Sequence, residues 1–226
     1  MPNLEPGVEI HQDLNPLIWN DYTLRSEVRN GLLEIAREFF KFLTVPVEVK
    51  DIIITGSQCS YTYTEHSDLD LHIIVPYENV ACDQPVEELF DTKRKLWKLR
   101  HTITIHGIPV ECYAEDHARP VKGSTYSLLK DTWVSKPTHP QGDIDQDIDR
   151  VCLAWITLIS HAIQERDLDG LKQIKDLLSK YRKQGLSRSG ELGRANVVFK
   201  TLRNSGVIAQ LMQALLELED RKLSVK

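Results

Sequence analysis

The sequence predicts an α+β domain followed by an all-helical domain. Three observations carry that expectation. The 226 residues are 41% hydrophobic and 27% charged, enough apolar material for sizeable cores and too much for wholesale disorder. Residues 21–114 read as helix, strand, loop, strand, helix and hairpin in turn. From Ile144 onward the apolar spacing becomes helical and stays so.

Residues 1–19, with Pro2, Pro6 and Pro16, read as a loose N-terminal arm. A helix is expected from Asp21 to Leu43, because Leu24, Val28, Leu32, Ile35, Phe39 and Leu43 recur at three- and four-residue steps. Pro46 ends it. Val49 to Thr55 is rich in β-branched residues and reads as a strand. A polar loop, 56–67, leads to a second strand, Asp68 to Val75, which Pro76 stops. Residues 86–100 form a helix with Leu89, Phe90, Leu96 and Trp97 on one side. Lys93, Arg94, Lys95, Lys98 and Arg100 occupy its other side, which reads as a solvated face. Thr102 to His106 and Pro109 to Ala114 flank Gly107 as a hairpin. Residues 116–142 contain Pro120, Gly123, Pro137, Pro140 and Gly142, and read as a covering loop plus linker. Helices are expected at about 145–166, 168–184, 194–204 and 206–222. The resulting division is an arm at 1–19, a candidate catalytic domain at 20–135 and a helical domain at 143–226.

Several classes fall away. No apolar run approaches the ~18 residues that a membrane span needs, and the N-terminus lacks the basic and apolar regions of a secretory signal. Cys59, Cys82, Cys112 and Cys152 form no C-x-x-C pair, which argues against a zinc ribbon or disulfide scaffold and fits a cytoplasmic location. A net charge of −5 argues against a surface that binds nucleic acid all over.

The informative segment is 52–75, IIITGSQCSYTYTEHSDLDLHIIV. Side chains alternate along a strand, so Asp68 and Asp70 share one face while Leu69, Leu71, Ile73 and Val75 share the other. Two ionised carboxylates ~6–7 Å apart along a strand repel each other, and a divalent cation relieves that repulsion. Oxygen ligands of this kind suit Mg²⁺. Gly56 and Ser57 follow the preceding strand directly, where Gly permits close backbone approach and the N–H groups and hydroxyl can cradle a phosphate. Glu111 alternates with Val110 and Cys112, on the same side as Tyr113, and is the third candidate carboxylate. Three carboxylates support two metals, an arrangement suited to phosphoryl displacement.

Gly56-Ser57, ten intervening residues, then Ser67-Asp68-Leu69-Asp70-Leu71, with Glu111 on a later strand, resembles the signature of the DNA polymerase β-like nucleotidyltransferase superfamily. The resemblance covers about residues 20–116. It implies a small mixed or antiparallel sheet flanked by helices. It implies that Asp68 and Asp70 bind two Mg²⁺ ions (Mn²⁺ being a possible substitute). Glu111 would bind the catalytic one and help activate an acceptor hydroxyl. Gly56 and Ser57 would hold the β- and γ-phosphates of an NTP. The reaction implied is transfer of a nucleoside monophosphate with release of pyrophosphate. The acceptor is left open between RNA, another nucleotide, a protein hydroxyl and a small molecule. The helical half is similar in kind to the substrate-binding helices of poly(A) polymerases and oligoadenylate synthetases. The loop departs from the family at Ser60-Tyr61, where Arg-Gly is common. Two other functions fit the same residues: a synthase of short or cyclic oligonucleotide signals, and a non-catalytic module that binds nucleotide or a partner. The presence of all three carboxylates argues against the second.

Other features have plainer readings. His72 lies two residues past Asp70 on the same strand face; a ligand or a base is one reading, and a residue packed under the site is the better one. Asp143, Asp145, Asp147 and Asp149 alternate without the Gly and Glu of an EF-hand, so a helix N-terminus explains them better. Trp97, Trp133 and Trp155 read as core, and Tyr126 as a residue able to stack on a base. Residues 172–203 carry nine basic residues against Asp176 and Glu191. Lys180 is the first choice there for a triphosphate contact, with Lys175 and Lys183 behind it.

Overall fold

The computed structural model describes residues 3–80, 85–119, 123–141 and 144–225; Cys82 and Asp143 lie outside them. The chain is α+β and divides into two units, one of residues 10–140 and one formed by the residues up to Glu9 together with those from Gln141. No helix among the described residues is long and apolar enough to cross a membrane.

The α/β unit opens with a short hairpin, β1 (Trp19–Asn20) and β2 (Thr23–Leu24), that turns through Asp21 at φ 52°. The first helix, α1, therefore spans Ser26–Leu43 rather than starting at Asp21. Asp tolerates the left-handed turn, and Arg25 is extended, so helical geometry cannot begin before Ser26. Val28, Leu32, Ala36, Phe39 and Leu43 form its buried face.

Six strands form the main sheet: β3 (Asp51–Thr55), β4 (Leu69–Val75), β5 (Thr104–Ile105), β6 (Ile108–Asp116), β7 (Thr125–Ser127) and β8 (Thr132–Ser135), in the order β5-β6-β4-β3-β7-β8. The β3–β4 pair is antiparallel and β4–β6 is parallel. Parallel neighbours need a crossover, which α2 (Val86–Arg100) supplies. The alternation in β4 is complete: Leu69, Leu71, Ile73 and Val75 are buried, with Asp70, His72 and Ile74 facing the other way. The buried row joins α1, Ile54, Cys112, Phe90 and Trp97 in one core.

Three expectations are corrected here. The segment 116–142 is not merely loop and linker, since β7 and β8 complete the sheet on β3. Runs of three and four residues are too short for alternation to show. Tyr126, on β7, is 3% exposed, packs edge-on to Trp19 and Trp133 and donates to Asp131 at 2.8 Å, so it belongs to the core and is closed to a base. Nor is the arm expected at 1–19 loose over its described part, residues 3–19. Leu14, Ile18 and Trp19 are buried in the α/β core and Val8 in the helical one, because each finds an apolar partner distant in sequence.

The helical unit contains α3 (Ile148–Gln164), α4 (Leu168–Ser189), α5 (Arg194–Asn204) and α6 (Val207–Leu223). Cys152, Leu171, Val198, Leu202 and Leu211 sit at its centre. Asp147 and Asp149 stand at the start of α3, and Asp145 pairs with Arg194 at 2.6 Å. Trp155 packs against this core and Trp133 against that of the α/β unit, both half-buried, whereas Trp97 is buried.

Candidate functional site

The register of the central strands builds the site. Asp70 lies opposite Thr55 of β3 on one side and opposite Glu111 of β6 on the other. Asp68 precedes β4 by one residue. Asp68, Asp70 and Glu111 each offer a carboxylate oxygen within 4.8 Å of the others, and all three are half-buried. Negative charge gathered in a partly desolvated place is costly without a counter-charge. Part of that counter-charge comes from Lys98 on α2, whose ammonium meets Glu111. The Tyr113 hydroxyl donates to the other Glu111 oxygen at 2.7 Å. Burial pushes the Glu111 pKa up, but Lys98 and Tyr113 together outweigh it and hold the carboxyl below its ordinary range. The Tyr113 hydroxyl is held protonated by burial first, then by Asp70 and Glu111. Glu78, Asp116 and His117 also converge, but two of those three are exposed.

Gly56 lies against Asp70. Its backbone stands at φ 82° and ψ −165°, a region open almost only to glycine. A Cβ here would run into Oδ2 of Asp70. The 3₁₀ turn that follows, Ser57–Cys59, is held by a polar network. Ser57 Oγ donates to Ser67 Oγ at 3.0 Å, and Gln58 Nε2 donates to the Ser67 carbonyl at 3.0 Å. Asn15 Nδ2 donates to Gln58 Oε1 at 2.9 Å, and Trp19 Nε1 to the Gln58 carbonyl at 2.8 Å. The loop is thereby fixed relative to the residues just before β4.

His72 lies beneath. Its ring stacks on Tyr113 at 4.6 Å, and its Nδ1 has no hydrogen-bond partner among the described residues. Glu115 Oε1 stands 3.7 Å away. Burial pushes the imidazole pKa down to about 4, so at neutral pH the ring is uncharged and that contact is not an ion pair.

A cavity of about 370 Å³ opens beside the carboxylates, with Asp68 and Glu111 on its wall and Arg94, Trp97, Lys98 and His101 around it. It is lined neither by Gly56 nor by Ser57.

The structure thus brings Asp68, Asp70, Glu111, Gly56 and Ser57 into one neighbourhood. Lys180 belongs to the helical unit, on the exposed side of α4, as do Lys175 and Lys183. Sequence reasoning missed Lys98, whose place on a basic helix face resembled ordinary solvation, and Gln58 and Asn15, whose partners are distant in the chain. Tyr113 carried a signal, since alternation put it on the side of Glu111. Three oxygen-bearing side chains with no nitrogen or sulfur donor among them fit a hard divalent cation such as Mg²⁺. No family model matches this chain, and neither a curated protein nor a solved structure matches it.

Proposed function

We propose that this protein is a Mg²⁺-dependent nucleotidyltransferase that moves a nucleoside monophosphate from an NTP to an acceptor hydroxyl. The observation that carries the reading is the convergence of Asp68, Asp70 and Glu111 within 4.8 Å beside a glycine whose missing side chain leaves room for Asp70. Asp68, Asp70 and Glu111 hold the cations, which when bound neutralise charge on the attacking and departing oxygens. Gly56 N–H and the Ser57 hydroxyl bind the β- and γ-phosphates. The acceptor oxygen forms a bond to the α-phosphorus. The bond from that phosphorus to the bridging oxygen breaks, and its electron pair leaves with pyrophosphate. Glu111, which Lys98 and Tyr113 keep ionised, helps activate the acceptor hydroxyl, and the proton leaves to water as the new bond to phosphorus forms.

The test is incubation with each radiolabelled NTP and Mg²⁺, with and without total RNA, with product size separating polymer, protein and small-molecule acceptors. NTP and Mg²⁺ together should raise thermal stability by ~2.7 kcal/mol at a hundredfold excess over Kd, and either alone far less. Absence of any shift with all four NTPs overturns the proposal. Asp68→Asn or Asp70→Asn should abolish transfer with the fold intact.

A further inference from the structure

The loop after β3 meets phosphate without a cation of its own. Residues 56–64, GSQCSYTYT, carry no charged side chain. A lysine acts as a point charge and tolerates some misplacement. A neutral N–H or hydroxyl donor weakens steeply once its distance or angle is off. Such a loop holds phosphate well only if it is itself held still. It must also be held at a set spacing from Asp68 and Asp70, because one triphosphate has to reach both the loop and the cations.

A single hydrogen-bond chain meets both needs. It starts at Leu17, whose N–H donates to Asn15 Oδ1 at 3.0 Å. Asn15 Nδ2 donates to Gln58 Oε1 at 2.9 Å. Gln58 Nε2 donates to the carbonyl of Ser67 at 3.0 Å, and Asp68 is the next residue. Trp19 Nε1 fixes the middle of the chain, donating to the Gln58 carbonyl at 2.8 Å. Asn15, Trp19, Gln58 and Ser67 are each at most 7% exposed, so water does not stand in for a lost partner. The direction of the chain is set from its start. Leu17 requires an acceptor, which leaves Asn15 a donor towards Gln58, and that leaves Gln58 a donor towards Ser67. Turning either amide over would set like groups against each other and leave buried polar atoms unpaired. Gln58 is therefore a spacer of one length and one orientation.

Resting on the nucleotidyltransferase reading, we infer that Gln58 and Asn15 are positioning residues for the outer phosphates of the nucleotide. Gln58 sets the gap between the phosphate loop and Asp68. Asn15 keeps Gln58 in the one orientation that spans it. The turn before β1 thus acts at the nucleotide site through the loop rather than by touching the substrate.

The test is calorimetry on the full-length protein in Mg²⁺ with two probes, α,β-methylene ATP and pyrophosphate, at a temperature where every variant is folded. Mn²⁺ alone, followed by its EPR signal, is the control. Gln58→Met keeps the length of the side chain and removes both amide bonds. Asn15→Ser keeps an acceptor for the Leu17 N–H and withdraws the donor from Gln58; it answers the question if Gln58→Met does not fold. Each variant should bind both probes about tenfold more weakly or worse, the scale on which hydrogen bonds behind a metal site act. Mn²⁺ should bind as in the parent, because Asp70 and Glu111 stay on their strands. Parent-like affinity for both probes, with only thermal stability lowered, overturns the inference: the chain is then structural, and the proposed function stands. An equal loss of Mn²⁺ affinity overturns it too, since the whole site has then given way. If neither probe binds the parent protein in Mg²⁺, the underlying reading fails, and the positioning role with it.

Discussion

Gly56→Ala separates two costs that the structure combines in one residue. The first is backbone strain. At φ 82° and ψ −165° a residue with a Cβ pays about 1–3 kcal/mol. The second is the collision with Oδ2 of Asp70, whose Cγ would stand 3.3 Å from the new methyl. That oxygen is the end of a side chain and can rotate away, at ~1 kcal/mol for an off-rotamer position. Gly56→Ala should therefore cost about 2–4 kcal/mol in the parent. In an Asp70→Ala background only the backbone share remains, so the double-mutant cycle should show coupling of ~1 kcal/mol. Urea titration followed by tryptophan fluorescence reads this well, because Trp19, Trp97 and Trp133 lie in the α/β unit and Trp155 in the other. Swinging Asp70 aside also opens the carboxylate cluster, so the stabilisation by NTP with Mg²⁺ should disappear in the single variant. A cost within ~0.5 kcal/mol of zero would refute the strain argument. Equal costs in the two backgrounds would refute the contact with Asp70.

Three further outcomes are expected. The His72 pKa is lowered from 6.5 to about 4 by burial, so between those values the unfolded chain binds a proton that the native chain refuses. Its share of stability is present above about pH 6.5 and falls away as pH drops towards about 4, by up to ~1.4 kcal/mol per unit; His72→Gln should flatten the slope of unfolding free energy against pH, and an unchanged slope would contradict the burial argument. Tyr113→Phe removes the 2.7 Å hydrogen bond to Glu111, which should cost about 1.5–3 kcal/mol and raise the Glu111 pKa in a carboxylate-resolved NMR titration. Alanine at Lys175, Lys180 and Lys183 together should weaken NTP binding about tenfold if α4 serves the triphosphate; unchanged affinity in calorimetry returns these residues to the role of a solvated face.

What the sequence made legible is what depends on near neighbours. The alternation of Leu69, Leu71, Ile73 and Val75 with Asp70 and His72 set β4 and its faces, and the helix expected at 86–100 agrees with α2 at Val86–Arg100. Gly56 was legible as a glycine after a strand, although its approach to Asp70 was not. The rest was hidden because it depends on pairing across distance. Tyr126 and Ser127 become strand only through β3. Gln58 is anchored by Asn15, 43 residues earlier. Lys98 meets Glu111 only because α2 returns the chain alongside β6. Val8 carries no local pattern at all, and its place is set by a helical core whose first helix starts at Ile148.

That placement of the N-terminal residues has a consequence for how the protein is made. The residues up to Glu9 are synthesised before the α/β unit, yet their own unit is completed after it, because the 131 residues of the α/β unit, 10–140, lie between its two pieces in the sequence. The α/β unit can fold as soon as β8 emerges. Glu5, whose N–H donates to Ser205, and Val8, buried with the helices, must wait for α5 and α6. Closing so long a loop costs little more than closing a short one, since the entropy grows only with the logarithm of length. Nascent chains halted after residue 140 should therefore carry a folded α/β unit with a protease-sensitive N-terminal tail, and protection of that tail should appear only when α6 is complete.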